Sequence, residues 1–327
     1  MPKVSVILPV YNCDQYIFET IQSVLNQTFA DFELLIVDDC STDKTVAIIK
    51  QFDDDRIQLI LKEKNTGYTD SLNYAVSIAK GQYIARMDGD DICVSTRFEK
   101  QVAFLDANPT IILCGSAIQI IGTNTVLRHP SRYEDIKIKL CFSSSFYHPS
   151  VMARIEAFQA NPYDKKYEPA EDYDLWTRLV FQGELANLEE VLLLYRVHEN
   201  QVSNERKTSQ EKHALSCKLN MFSHLQIKNY FNLDEINLVV GRQQPISFQE
   251  CEKVQFVTRF LIEKNKELKV FDSFEFEREM EKHKIIQIKS FITKDKFLKW
   301  CTYSFFMKKC KFIEFLNLLN IKKRIKI

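Results

Sequence analysis

The sequence predicts an α/β fold: a mostly parallel central sheet with helices on both faces, followed by a helical C-terminal region. Three observations point there. In the first third, short apolar runs alternate with segments whose apolar residues recur at helical spacing. Polar clusters follow those runs, where ligands bind in open parallel sheets. Beyond about residue 204 the chain turns Lys/Glu-rich, aromatic and helical in pattern.

Val4–Val10 is an apolar, β-branched run and reads as the first strand. Ile17, Ile21, Val24 and Leu25 share one face of a helix. Phe32–Val37 reads as the second strand and ends in Asp38-Asp39. Ser41 is the expected N-cap of a helix carrying Val46, Ile49 and Phe52. Ile57–Leu61 is the third strand. Leu72, Ala75, Val76 and Ala79 mark a helix that Gly81 is expected to close at C′. Tyr83–Met87 is the fourth strand. Further on, Thr110–Cys114, Ala117–Ile121 and Val191–Val197 read as strands, and Tyr173–Phe181 as a helix ended by Gly183. A catalytic domain over 1–210 and a helical, basic region over 211–327 are expected.

The chain has 327 residues and a formal net charge of zero, so no global field points to nucleic acid. Its nine cysteines are odd in number, scattered and without a C-x-x-C pair. That pattern reads as reduced thiols in a cytosolic protein. The start, Met1–Ile7, runs straight into a strand pattern, which reads as no signal peptide. No apolar run reaches the ~18 residues of a membrane span.

The run Tyr83–Met87 ends abruptly in Asp88-Gly89-Asp90-Asp91. Like charges clustered at the end of a buried strand are costly unless something positive sits there. A divalent cation such as Mg2+ or Mn2+ suits that role, because hard cations prefer carboxylate oxygens. The competing reading is an acidic, solvated turn. Tyr11-Asn12 and Asp38-Asp39 reach the same sheet edge from two other strands, which favours a nucleotide site. There is no G-x-G-x-x-G after the first strand and no P-loop. A metal held by Asp88–Asp91 is the natural substitute for such a phosphate cradle.

Five segments in order resemble the family 2 glycosyltransferases of the GT-A fold. They are Val4–Asn12, Val37–Asp43, Asn65-Thr66-Gly67, Asp88–Asp91 and Glu171-Asp172-Tyr173-Asp174-Leu175-Trp176, and the resemblance covers about residues 1–205. It implies transfer of a sugar, with inversion, from a nucleotide diphosphate sugar. A UDP-sugar donor is expected, with a hydroxyl of a glycan or lipid-linked oligosaccharide as acceptor. Pro9, Tyr11 and Asn12 then lie beneath the nucleotide. Asp39, with Asp38 alongside, reads the uracil edge. Asp88 and Asp90 are the D-x-D pair: Asp90 on the metal, Asp88 on the ribose or a metal-bound water. Arg86 pairs with one of these acids or with the donor phosphate. Asp91 belongs to the site or only caps the turn.

Glu171-Asp172 matches the family's acid pair, with Asp172 as general base for the acceptor hydroxyl. The alternative for either acid is a helix cap. His198 is a candidate further metal ligand or diphosphate contact, and Arg196 a phosphate contact. His148 lies in a family-like segment near the acceptor, whereas Trp176 reads as core. No Q-x-x-R-W motif is present, which favours single addition over processive synthesis. A non-catalytic nucleotide-sugar binder and a nucleotidyltransferase are the competing functions. From Ser290 to Ile327 ten basic residues stand against two acidic ones, with Trp300, Tyr303, Phe305 and Phe306 among the lysines. Such a tail is expected either to dock a cytoplasmic enzyme on the inner membrane face or to pack as an ordinary bundle with solvated lysines.

Overall fold

A computed structural model describes residues 1–198, 207–227, 230–241 and 247–291. The chain divides into two compact units, the first Met1–Cys217 and the second from Lys218 onward. The basic tail beyond residue 291, with Trp300, Tyr303, Phe305 and Phe306, lies outside the described residues.

The first unit begins β1 (Val4–Val10), α1 (Ile17–Leu25), β2 (Phe32–Asp38), α2 (Thr45–Ile49), β3 (Ile57–Leu61), α3 (Tyr68–Ile78) and β4 (Tyr83–Arg86). It continues with β5 (Ile92–Cys93), α4 (Arg97–Ala107), β6 (Ile111–Ile120), β7 (Val126–Leu127) and α5 (Tyr133–Lys139). After a 3-10 turn at His148–Ser150 come β8 (Met152–Arg154), α6 (Ile155–Ala160), α7 (Glu171–Leu179) and β9 (Glu184–Tyr195). One sheet runs β3-β2-β1-β4-β8-β6-β9-β5, with β7 on β6. β3, β2, β1 and β4 are mutually parallel, as are β6 and β9. The antiparallel pairs made by β8, β7 and β5 are short.

β1 is buried along its whole length because it is covered on both sides. Val4, Val6, Leu8 and Val10 join Ile17, Ile21 and Val24 of α1 and Phe98, Val102 and Leu105 of α4 in one core. Each such side chain contributes about 1.5–3 kcal/mol on burial. The alternate residues Ser5 and Ile7 face the other side of the pleat, where α3 lies against β1.

Three local expectations are corrected. Ser41 does not cap α2, whose N-cap is Lys44. Its Oγ instead accepts the Asn12 amide at 2.9 Å. Gly81 does not close α3 in a left-handed cap, since the helix ends at Ile78 with an extended C-cap, Ala79. A Cβ on Gly81 would stand 2.5 Å from the Ser5 backbone nitrogen, so glycine is there for close approach to β1. The two short strands expected at 110–121 are one strand, β6. Gly115 does not interrupt it; a Cβ there would meet Asn187 Oδ1 at 2.3 Å, so glycine makes room for a β9 side chain.

The second unit is helical where it is described. It holds the end of α8 (Lys207–Ser223), then α9 (Leu233–Val240), α10 (Phe248–Leu268) and α11 (Ser273–Phe291). Asn232 and Glu235 form a capping box on α9. Among the described residues no helix is long and apolar enough to cross a membrane.

Candidate active site

The carboxyl ends of β1 and β2 lead into loops that are laced together. The Asn12 amide donates to Ser41 Oγ, and Asn12 Oδ1 accepts the Thr42 amide at 2.8 Å. The Cys13 amide donates to Thr45 Oγ1 at 2.7 Å. Asn12 sits at φ 51°, a left-handed conformation that Asn tolerates better than most residues. Its side chain is therefore used in shaping the loop. Pro9 is buried inside β1, whereas Tyr11 is exposed on the loop.

Asp38 and Asp39 are both buried. Asp38 Oδ2 accepts the Ser41 amide and closes the turn, and its Oδ1 is buried without a hydrogen-bond partner. Asp39 accepts Lys62 Nζ at 2.6 Å, the Thr66 amide at 3.0 Å and the Gly67 amide at 2.8 Å. Burial works to raise its pKa, but these three donors win and hold it below the usual carboxylate range. A carboxylate offers about four acceptor positions, so roughly one remains for a ligand donor. Lys62 was not singled out from the sequence, although it directly follows β3 at the same sheet edge.

Asp88, Asp90 and Asp91 bring one oxygen each to within 4.8 Å of one another. Asp88 is ion-paired with the buried Arg86 guanidinium. Asp90 Oδ2 meets His198 Nε2 at 2.8 Å. Asp91 Oδ1 accepts the Arg196 amide at 2.9 Å, and its buried Oδ2 has no hydrogen-bond partner. Burial first, and then the neighbouring carboxylates, push Asp90 and Asp91 above the usual range. An all-oxygen, charge-excessive donor set with an orphaned buried oxygen fits a hard divalent cation. Arg196 braces this cluster: Nε donates to the Asp90 carbonyl, Nη2 to Glu19 Oε2, and the guanidinium lies 4.5 Å from the Tyr16 ring centroid. Arg196, expected as a phosphate contact, thus meets the backbone carbonyl of Asp90 and the carboxylate of Glu19 through its guanidinium.

Glu171 and Asp172 occupy the first turn of α7, whose N-cap is Ala170 without a side-chain cap bond. Burial and then Asp172's charge raise Glu171 to about 8. Burial raises Asp172 to about 6, against its own and Tyr173's backbone amides and the Arg86 charge. Glu171 Oε2 accepts the Tyr68 hydroxyl at 2.7 Å, and Oε1 lies 3.9 Å from His148 Nδ1. His148 Nε2 bonds Tyr163 Oη at 2.8 Å, and burial plus the Arg86 charge keep this imidazole neutral. Trp176 is fully buried beside His148 and Phe146, as core. Tyr68 and Tyr163 were missed from sequence; the only signal was Tyr68's place directly after Asn65-Thr66-Gly67.

The family model described as glycosyl transferase family 2 matches residues 5–167. An uncharacterised glycosyltransferase of Haemophilus influenzae is 32% identical over 254 residues, 73% of this chain and 79% of that protein. The Escherichia coli protein WfgD, a UDP-Glc:alpha-D-GlcNAc-diphosphoundecaprenol beta-1,3-glucosyltransferase, is 30% identical over 62% of this chain and 80% of its own. Among solved structures, the mannosyltransferase PcManGT of Pyrobaculum calidifontis, in complex with GDP-Man and Mn2+, aligns with a TM-score of 0.52 at 16% identity. That alignment covers 89% of this chain and 87% of the other, and it shows the GT-A fold.

Proposed function

Because the chain belongs to glycosyl transferase family 2, we propose that it is an inverting, divalent-metal-dependent enzyme of bacterial surface polysaccharide biosynthesis. It moves a sugar from a UDP-sugar to a hydroxyl of a glycan or lipid-linked acceptor. The observation that carries this reading is the pairing of two acid clusters around one buried cation. Arg86 is ion-paired with Asp88, and its charge acts on both Glu171 and Asp172.

Asp172 takes the acceptor proton as its oxygen attacks the anomeric carbon. With its pKa raised to about 6, it is ionised at neutral pH yet more basic than an ordinary Asp. Asp88, Asp90 and Asp91, with His198 beside them, would hold Mg2+ or Mn2+, and the cation, when bound, neutralises charge developing on the leaving diphosphate. Asp39's remaining acceptor position faces the nucleobase, with Asp38 and the Tyr11 loop beside it. Arg86 holds Asp88 in place.

The test is UDP release from UDP-glucose with Mn2+, with and without a diphospholipid-linked N-acetylglucosamine acceptor. UDP-glucose is the first donor to try because WfgD is named for it. A thermal-shift screen of UDP-, GDP- and dTDP-sugars widens the choice. Donor binding without turnover against any acceptor would instead support a non-catalytic binder. The basic tail is proposed to hold the enzyme on the inner membrane face. Equal co-sedimentation with anionic liposomes by full-length protein and a variant lacking residues 290–327 would end that idea.

A further inference from the structure

Tyr68 stands where two parts of the site meet. The two residues before it donate their amides to Asp39, Thr66 to Oδ1 and Gly67 to Oδ2. Gly67 adopts φ +95°, which lets its amide face Asp39 while the next residue opens α3. Thr69 Oγ1 then bonds Glu168 Oε2 at 2.9 Å, and Asn73 holds Tyr163 through both its amide and carbonyl groups. Between these anchors, the Tyr68 hydroxyl reaches Glu171 Oε2 at 2.7 Å.

Glu171 is 3% exposed. The groups facing it are Tyr68 from α3, His148 from the 3-10 turn, Asp172 on its own helix and Arg86 from β4. His148 is neutral, and Arg86 is ion-paired with Asp88. Tyr163 lies behind His148, and Glu168 adds further negative charge near Tyr68. Burial and the second carboxyl beside it favour the protonated form of Glu171 more than the Tyr68 hydroxyl favours the charged one.

We propose that Tyr68 is a positioning residue of the transfer reaction: its hydroxyl fixes the orientation of Glu171, the neutral member of the carboxyl pair, beside the charged Asp172, and ties that pair to the loop gripping Asp39. Tyr68 donates to Oε2, so the Glu171 proton sits on Oε1, on the His148 side. Asp172 is then the one ionised carboxyl available to accept the proton of the acceptor hydroxyl. The inference rests on the transferase reading for its consequence, but the proton assignment is testable without turnover.

The experiment uses the full chain as wild type, Tyr68→Phe and Glu171→Gln, each first checked for a cooperative melt. Infrared spectra are recorded from pH 6 to 9.5. The wild type is expected to show a protonated-carboxyl band that fades as pH rises through about 8 and is missing in Glu171→Gln. The Tyr68 hydrogen bond favours the carboxylate form, so in Tyr68→Phe the fading midpoint moves up, by roughly one pH unit. With UDP-glucose and Mn2+, Tyr68→Phe should keep the donor KM within about twofold and lose about tenfold in kcat.

A rate loss in Tyr68→Phe with an unmoved midpoint would mark a merely structural tyrosine and overturn the proposal. So would a band fading through about pH 8 that persists in Glu171→Gln. If Glu171→Gln does not fold, the midpoint shift between wild type and Tyr68→Phe alone decides. Correct infrared behaviour without any sugar transfer would support the Tyr68–Glu171 assignment while counting against the enzyme reading.

Discussion

The two acid clusters of this site, Asp88/Asp90/Asp91 and Glu171/Asp172, face the same problem and solve it differently. Both gather carboxyls in a partly desolvated place, and both show acids displaced above their usual range. The first is surrounded by basic residues: Arg86 pairs with Asp88, His198 meets Asp90, and Arg196 bonds both the Asp90 carbonyl and, through its amide, Asp91. Even so, it keeps an orphaned buried oxygen on Asp91. The second is walled by Tyr68, a neutral His148 and aromatic core. On the proposed reading, one cluster is completed by a cation and the other keeps a proton. In that reading a diphosphate leaving group calls for positive charge and a general base for a carboxylate of raised affinity for protons, so the difference follows the chemistry proposed for each end.

The most severe break is at the base. Asp172→Asn removes the proton acceptor while conserving shape, so kcat should fall by about 10²–10⁴-fold with the donor KM little changed. Full activity in that variant would remove Asp172 from the base role. Next comes the cation end. Asp90→Asn should cost about 10²-fold in kcat and abolish the response to Mn2+, while chelation by EDTA does the same to wild type. Retained Mn2+ activation in Asp90→Asn would exclude this cluster as the metal site.

The pH profile sharpens the contrast further. Asp172 must be ionised to act, and it is raised to about 6. Activity should therefore fall about tenfold per unit as pH drops below that value and stay level just above it. Arg86 lowers this pKa by its charge, so Arg86→Gln should shift the acid limb to higher pH. An unmoved limb would show that Arg86 serves Asp88 alone.

How much of this was legible in the sequence depended on how local the cause is. β1 and β2 are buried on both faces, so their apolar runs announce themselves. Asp88-Gly89-Asp90-Asp91 was visible because clustered like charge is costly wherever it lies. Tyr68 and Lys62 were not visible as site residues, because their meaning comes from partners. Tyr68 meets Glu171 across 103 positions of sequence. Ser41 and Gly81 were misread for a related reason. Each matches a helix-end rule, yet Ser41 is taken up by Asn12 and Gly81 by the close passage of Ser5. α4 went unread although its Arg97, fully buried, donates to the carbonyls of Arg86 and Val151 just behind the acids.

The smallest expected effects are on stability, and they separate the two clusters most cleanly. Glu171 is raised in the folded state from 4.5 to about 8, so the native chain binds more protons than the unfolded one between those values. Stability from this group is present at low pH and declines as pH rises through the window. Glu171→Gln does not titrate, so it should melt near wild type at pH 5 and become more stable towards pH 9, by about 1–3 kcal/mol. Asp91→Asn keeps an oxygen for the Arg196 amide and removes one like charge, so without metal it should gain about 1 kcal/mol. Adding Mn2+ with UDP stabilises wild type by mass action, and Asp91→Asn should lose that gain. The advantage of Glu171→Gln should survive the same addition, because its cause is a proton and not a missing cation. If Mn2+ with UDP removed the advantage of both variants equally, the two clusters would be one electrostatic unit, and the division of labour between cation and proton would fail.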